Sequence, residues 1–171
     1  MSSERRKPFA GGFTLVEALV VLLVIVALLL ITIPALFRIL QNYNLKTATT
    51  QLAIHLRLAR NQCVTQKLKY RAIIRSKSAF SGKNTYQIEY APAGDSTFVL
   101  LPHLDFRIPP GVEIQDSAIF TSGVATIDFN TRGGATSVTG TPPYDISLKS
   151  KNGLTYRIRI QLSGEVEVAQ T

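Results

Sequence analysis

The sequence contains no tryptophan and only one cysteine, Cys63, so no disulfide within the chain can brace its fold. A lone cysteine of this kind reads first as a small buried hydrophobe, with an intermolecular bridge as the alternative. Acidic residues are absent between Glu17 and Glu89, an interval that carries Arg38, Lys46, Arg57, Arg60, Lys67, Lys69, Arg71, Arg75, Lys77 and Lys83. Beyond it the balance reverses, and the formal net charge of +8 is therefore concentrated in the first half. Such segregation points either to a polyanionic or headgroup partner or to a solvated basic face. Catalytic signatures are missing as well. Gly82-Lys83 lacks the upstream glycine of a phosphate-binding loop, and neither G-x-S-x-G nor H-E-x-x-H occurs. His55 and His103 have no cysteine or carboxylate at ligand spacing. Glu165 and Glu167 would share one face of a strand, which an exposed edge explains without chemistry. These absences argue against an enzyme, a metal or a cofactor.

What is present begins with one long apolar run. From Phe13 to Leu36 the only charged side chain is Glu17. As a helix this stretch extends about 36 Å, more than the ~30 Å core of a bilayer. Arg5, Arg6 and Lys7 precede it and favour a cytoplasmic N-terminus, although Arg38 and Lys46 on the far side narrow that margin. A secretory signal peptide would need a shorter core and a small-residue cleavage site, whereas this core runs into Ile33-Pro34-Ala35-Leu36-Phe37. A plain anchor explains the length but not a carboxylate inside it, which costs about 2.5–3.5 kcal/mol on insertion scales and so tends to be paired and functional.

From Asn44 to about Gln66, Leu45, Ala48, Leu52, Leu56, Ala59 and Cys63 recur every three or four residues and trace a helical stripe that must be buried. Lys46, Arg57, Arg60 and Lys67 fall along one flank of it, and His55 lies at its margin. Beyond Leu68 the pattern changes to short alternating segments. They predict strands over 70–75, 85–91, 97–101, 104–108, 112–115, 124–129, 144–149, 155–162 and 165–169. Turn residues separate them, with Asn152-Gly153 and Ser163-Gly164 signalling hairpins in a terminal meander. The sum is an α+β chain with one long helix packed on antiparallel sheet.

The residues G12-F13-T14-L15-V16-E17 resemble the processing site of type IV pilins and pseudopilins. The resemblance implies cleavage by a prepilin peptidase after Gly12 and N-methylation of Phe13. It also implies an assembly role for Glu17, pairing with the terminal amine of a neighbouring subunit, and for Pro34, where such helices kink or partly melt. The run LAIHLRLARNQCV is similar to the helix of the GspH/FimT branch, with Cys63 in place of the usual alanine. IDFNTRGGA and RIRIQLSGEVEV resemble that branch's later segments through Phe129, Gly133 and Gly164. The implied organisation is a cleaved leader over 1–12, a transmembrane helix over 13–38, its amphipathic continuation over 39–68, and a β-rich domain over 69–171. The implied role is a minor subunit at the tip or initiating complex of a type II secretion pseudopilus or type IV pilus. It would sit in the inner membrane with the domain outside and bind other pilins through its helix. Some FimT-like members bind DNA through a basic ending, but Glu165 and Glu167 stand there in this chain. A DNA-uptake receptor is the alternative reading, with Arg57, Arg60, Lys67, Lys69 and Arg71 as its phosphate-contacting residues.

Overall fold

A computed structural model describes residues 14–78, 84–92, 97–115, 117–137 and 140–171. The chain divides into two compact units, 1–38 and 39–171. One helix, α1 (Leu15–Gln66), contributes to both.

Within the first unit, Thr14 caps α1. Its Oγ1 accepts from the Glu17 N–H at 3.2 Å, and its carbonyl accepts from Ala18 N at 3.1 Å. Thr14-Leu15-Val16-Glu17 is thus one half of a capping box, with an acid in the first turn where the helix dipole favours it. The helix is apolar on every side here, and its side chains stand exposed. It continues through Pro34, which leaves the Leu30 carbonyl without its i+4 donor. Two residues earlier the Thr32 hydroxyl donates to the Leu28 carbonyl at 2.8 Å, a back-bond that loosens helices.

The second unit is built on the buried stripe. Leu45, Ala48, Leu52, Leu56, Ala59 and Cys63 are all buried, joined by Thr49 and Ala53. The Thr49 hydroxyl satisfies itself on the Leu45 carbonyl at 2.8 Å, which allows a polar side chain inside the core. Among the described residues nine strands follow: β1 (Lys69–Arg75), β2 (Thr85–Ala91), β3 (Val99–Arg107), β4 (Val112–Gln115), β5 (Val124–Phe129), β6 (Ala135–Ser137), β7 (Tyr144–Ser150), β8 (Thr155–Ile160) and β9 (Val166–Gln170). They form two antiparallel sheets, ordered β3-β2-β1-β5-β6 and β4-β7-β8-β9. Inward residues of the first sheet (Tyr70, Ala72, Ile74, Ile88, Ile127, Phe129) and of the second (Ile146, Leu148, Ile158, Ile160) share one core with the helix stripe. The period-2 burial of β1, β5 and β7 is what one covered face imposes.

Two strand assignments depart from the sequence reading. The segments expected at 97–101 and 104–108 are one strand, β3. Its pairing with β2 jumps from Gln87↔Asp105 to Glu89↔Leu100. Pro102 falls in the skipped stretch and has no N–H to donate, so an edge strand with an irregularity accommodates it. The second departure is β6, only three residues long, which pairs with β5 across a turn at Gly133. Shorter adjustments trim β8 to end at Ile160 and extend β7 to Ser150.

The two sheets are tied at both ends. At one end Ala135 N donates to the Leu162 carbonyl at 3.0 Å. Gly133 and Gly164 meet there so closely that a Cβ on Gly164 would collide with the Gly133 carbonyl oxygen. At the other end buried Asn84 accepts from Lys77 N at 2.7 Å through Oδ1 and donates through Nδ2 to the Val112 carbonyl at 2.8 Å.

Gly153 and Gly164 have similar positive φ, 89° and 77°, but nothing lies within 4 Å of a Cβ added to Gly153. Gly153→Ala should therefore cost only the backbone strain, about 1 kcal/mol, and Gly164→Ala a further ~1–3 kcal/mol from the collision. The urea midpoint of the detergent-solubilised chain checks this. Tyrosine fluorescence is a domain-specific probe, because all six tyrosines, the first being Tyr43, lie beyond residue 38. Equal losses for the two variants would contradict the seam.

Candidate assembly site and basic flank

Gly12 and Phe13 lie outside the described residues. Glu17 is the only charged side chain of α1 before Arg38. Around it Leu15, Val16, Leu19 and Val20 are exposed by half or more, and further along Leu30 and Ile31 are 71% and 75% exposed. An unshielded apolar surface this long has to be covered by lipid tails or other apolar helices. The helix is long and apolar enough to cross a membrane. A carboxylate in that setting needs a counter-charge, and no basic side chain stands on α1 before Arg38.

The basic residues have separate placements. Arg57 donates through Nε and Nη2 to the Val166 carbonyl at 3.2 and 2.7 Å. Arg60 donates through Nε to the Gly133 carbonyl at 3.2 Å, and its guanidinium lies against Gly164 as well. These two arginines fasten the helix to the hairpin ends of the second and first sheets respectively. Lys67 adopts a left-handed conformation, φ 57°, one residue past the end of α1, the position usually taken by glycine. Tyr70 closes the same turn by donating to Gln66 Oε1 at 2.7 Å. Lys69 is exposed at the start of β1. Arg71 makes a two-pronged pair with Asp128 across the β1–β5 ladder at 2.7 and 3.0 Å, and its guanidinium carbon sits 3.7 Å above the Phe98 ring. Arg57 and Arg60 therefore belong together at the sheet ends, while Arg71 sits on the sheet and is neutralised.

Cys63 is fully buried, and its thiol points to the carbonyls of Phe129 and Asn130 at 3.2 and 2.8 Å. Burial pushes the thiol up, which keeps its proton available for those contacts. The residue acts as a small core donor at the foot of the Gly133 turn, not as a surface thiol.

His55 was legible only as a margin residue; in the structure it forms an aromatic cluster. Its Nδ1 lies 2.9 Å from the Tyr86 hydroxyl, and its ring stacks on Phe106 with centroids 4.3 Å apart. Burial lowers the His55 pKa and pushes the Tyr86 phenol up, so a neutral imidazole and a protonated phenol share this hydrogen bond. The folded chain then binds a proton at His55 less readily than the unfolded one. This contribution to stability is complete above the unfolded value of about 6.5 and is lost as pH falls below it. The urea midpoint should drop between pH 7.5 and 5.5, and the drop should shrink in His55→Gln, which keeps an acceptor but does not titrate. An unchanged drop in that variant would contradict the assignment.

No family model matches this sequence, and no curated protein does. Among solved structures the chain is similar to the minor pseudopilin EpsH from the Type 2 Secretion System of Vibrio cholerae. The TM-score is 0.57 at 10% identity, over 74% of this chain and 97% of that one. The type IV minor pilin FimU of Pseudomonas aeruginosa is also similar, in two crystal forms. Their TM-scores are 0.48 and 0.47, at 20% and 19% identity, over 75% and 73% of this chain and 90% and 92% of those. With its long apolar helix and two antiparallel sheets, the chain has the pilin-like α+β fold.

Proposed function

We propose that this chain is a minor pilin-class subunit of the GspH/FimT type, which joins a pseudopilus or pilus through its apolar helix and displays its β domain outside the inner membrane. The observation that carries the reading is the combination on one helix of an exposed apolar surface, a single carboxylate at Glu17 and, further along, a one-sided stripe buried in a domain of pilin-like fold. Such a helix is made to be shared with similar helices. Glu17 then meets the terminal amine that cleavage after Gly12 would create on a neighbouring subunit, and each charge neutralises the other away from water. The similarity to EpsH, whose name ties it to type II secretion, supports a secretion pseudopilus.

Arg57, Arg60 and Arg71 are engaged within their own domain, leaving exposed Lys67 and Lys69 from the basic set. That division favours a scaffold over a DNA receptor.

Two measurements test the proposal. Mass spectrometry of the chain from native membranes should find an N-terminus at Phe13 carrying one methyl group, and an intact Met1 or Ser2 terminus would overturn the processing step. Glu17→Ala should leave the tyrosine-monitored urea midpoint unchanged while abolishing co-purification with other pilin-class subunits. Undiminished co-purification would remove the pairing role.

A further inference from the structure

The end of the domain opposite Arg60 holds a second cationic feature, distinct from the basic flank of the helix. A pocket of about 210 Å³ is lined there by Lys77, Arg107 and Lys151 around the turn Pro109-Pro110-Gly111. The turn is well defined: Val112 N donates to the Pro109 carbonyl at 3.3 Å, and Gly111 takes φ 92°, as the third position of a type II turn requires. Buried Asn84 braces the opposite wall through Lys77 N and the Val112 carbonyl, and the Lys151 N–H reaches the Gly111 carbonyl at 3.3 Å. The backbone of the site is thus set before any ligand arrives. Glu113 is the one acid in its lining among the described residues. It lies 3.8 Å from Lys77 with both side chains well exposed, and it stands across the ladder from Lys149. That exposed pair offsets little of the positive field. No side-chain partner is seen for Arg107 or Lys151 among the described residues.

The position of this pocket in the chain indicates its ligand. Asn152, next to Lys151, donates to Asn42 Oδ1 at 3.4 Å. Asn42 is four residues past Arg38, where the apolar segment ends, so it can be no more than about 14 Å from it along the chain even when fully extended. If residues 15–38 are in a bilayer, this rim is held within reach of the headgroup layer, where clustered Lys and Arg attract anionic lipid over about a Debye length. We propose that Lys77, Arg107 and Lys151 form a headgroup site that takes the phosphodiester of an anionic phospholipid. The inference rests on the membrane-anchor reading above. It assigns to the domain a second hold on the membrane, one that does not involve α1.

The test uses the full-length chain in nanodiscs of zwitterionic phospholipid alone and in nanodiscs containing one-third anionic phospholipid. Amide hydrogen exchange over 107–113 and 149–153 is compared between them. The anionic bilayer should slow exchange in both segments several-fold, and the triple variant Lys77→Gln, Arg107→Gln, Lys151→Gln should lose that protection while keeping its tyrosine-monitored stability. Equal exchange in the two bilayers, with the chain co-eluting with both, would overturn the headgroup site and leave the anchor standing. Failure to co-elute with either nanodisc would overturn the anchor and the site together. Protection by millimolar inorganic phosphate over the zwitterionic bilayer, equal to that from anionic lipid, would show a free-anion pocket and contradict the lipid assignment.

Discussion

Everything in this chain depends on one helix that must satisfy two different surroundings. Over its first turns it is apolar on all faces, and its side chains stand exposed. Over its last six turns an apolar stripe from Leu45 to Cys63 is buried in the core it shares with both sheets, while Ile54, Leu58 and Val64 stand outside that stripe. The first half presents apolar side chains all round it beyond Glu17, a surface that water does not suit. The second half would not persist as an isolated helix, because such helices owe their stability to packing. The long helix therefore joins a domain that folds around it to a surface that needs other molecules.

The domain holds that helix by its sheet ends as much as by its core. Arg57 and Arg60 reach past the buried stripe to carbonyls at the β8–β9 and β5–β6 hairpins, where Gly133 and Gly164 allow the two sheets to touch. Asn84 joins the sheets at the far end. Charged hydrogen bonds to backbone carbonyls are among the stronger polar contacts, and here they satisfy acceptors at the hairpins that the ladders leave over. In a chain whose single cysteine can form no internal disulfide, these two seams join the sheets beyond the shared core.

Much of this was legible in the sequence wherever a period could be read. The stripe from Leu45 to Cys63 emerged from its 3.6 spacing, and the long alternating strands from their period of two. The failures have local causes. Three residues, Ala135–Ser137, are too few to display a period, and Pro102 inside β3 gives the local signature of a break although the pairing continues beyond it. Gly133 and Gly164 stood out by resemblance, but the reason for them is a contact between hairpins of different sheets, which no single segment encodes. Arg57 and Arg60 were recognised as a basic flank, whereas their carbonyl partners lie 109 and 73 residues away. The Thr14–Glu17 cap is the opposite case: the T-x-x-E pattern lies within a single turn, so local sequence encodes it in full.

The central claim is that the apolar half of α1 is covered by other helices, and a photo-crosslinking residue at Val21, on the exposed surface one turn beyond Glu17, tests it most directly. In cells making the full set of partner subunits, irradiation should yield adducts with the apolar N-terminal helix of another pilin-class chain, and those adducts should disappear when Glu17 is replaced by Ala. Adducts with lipid alone, unchanged by that replacement, would contradict the claim.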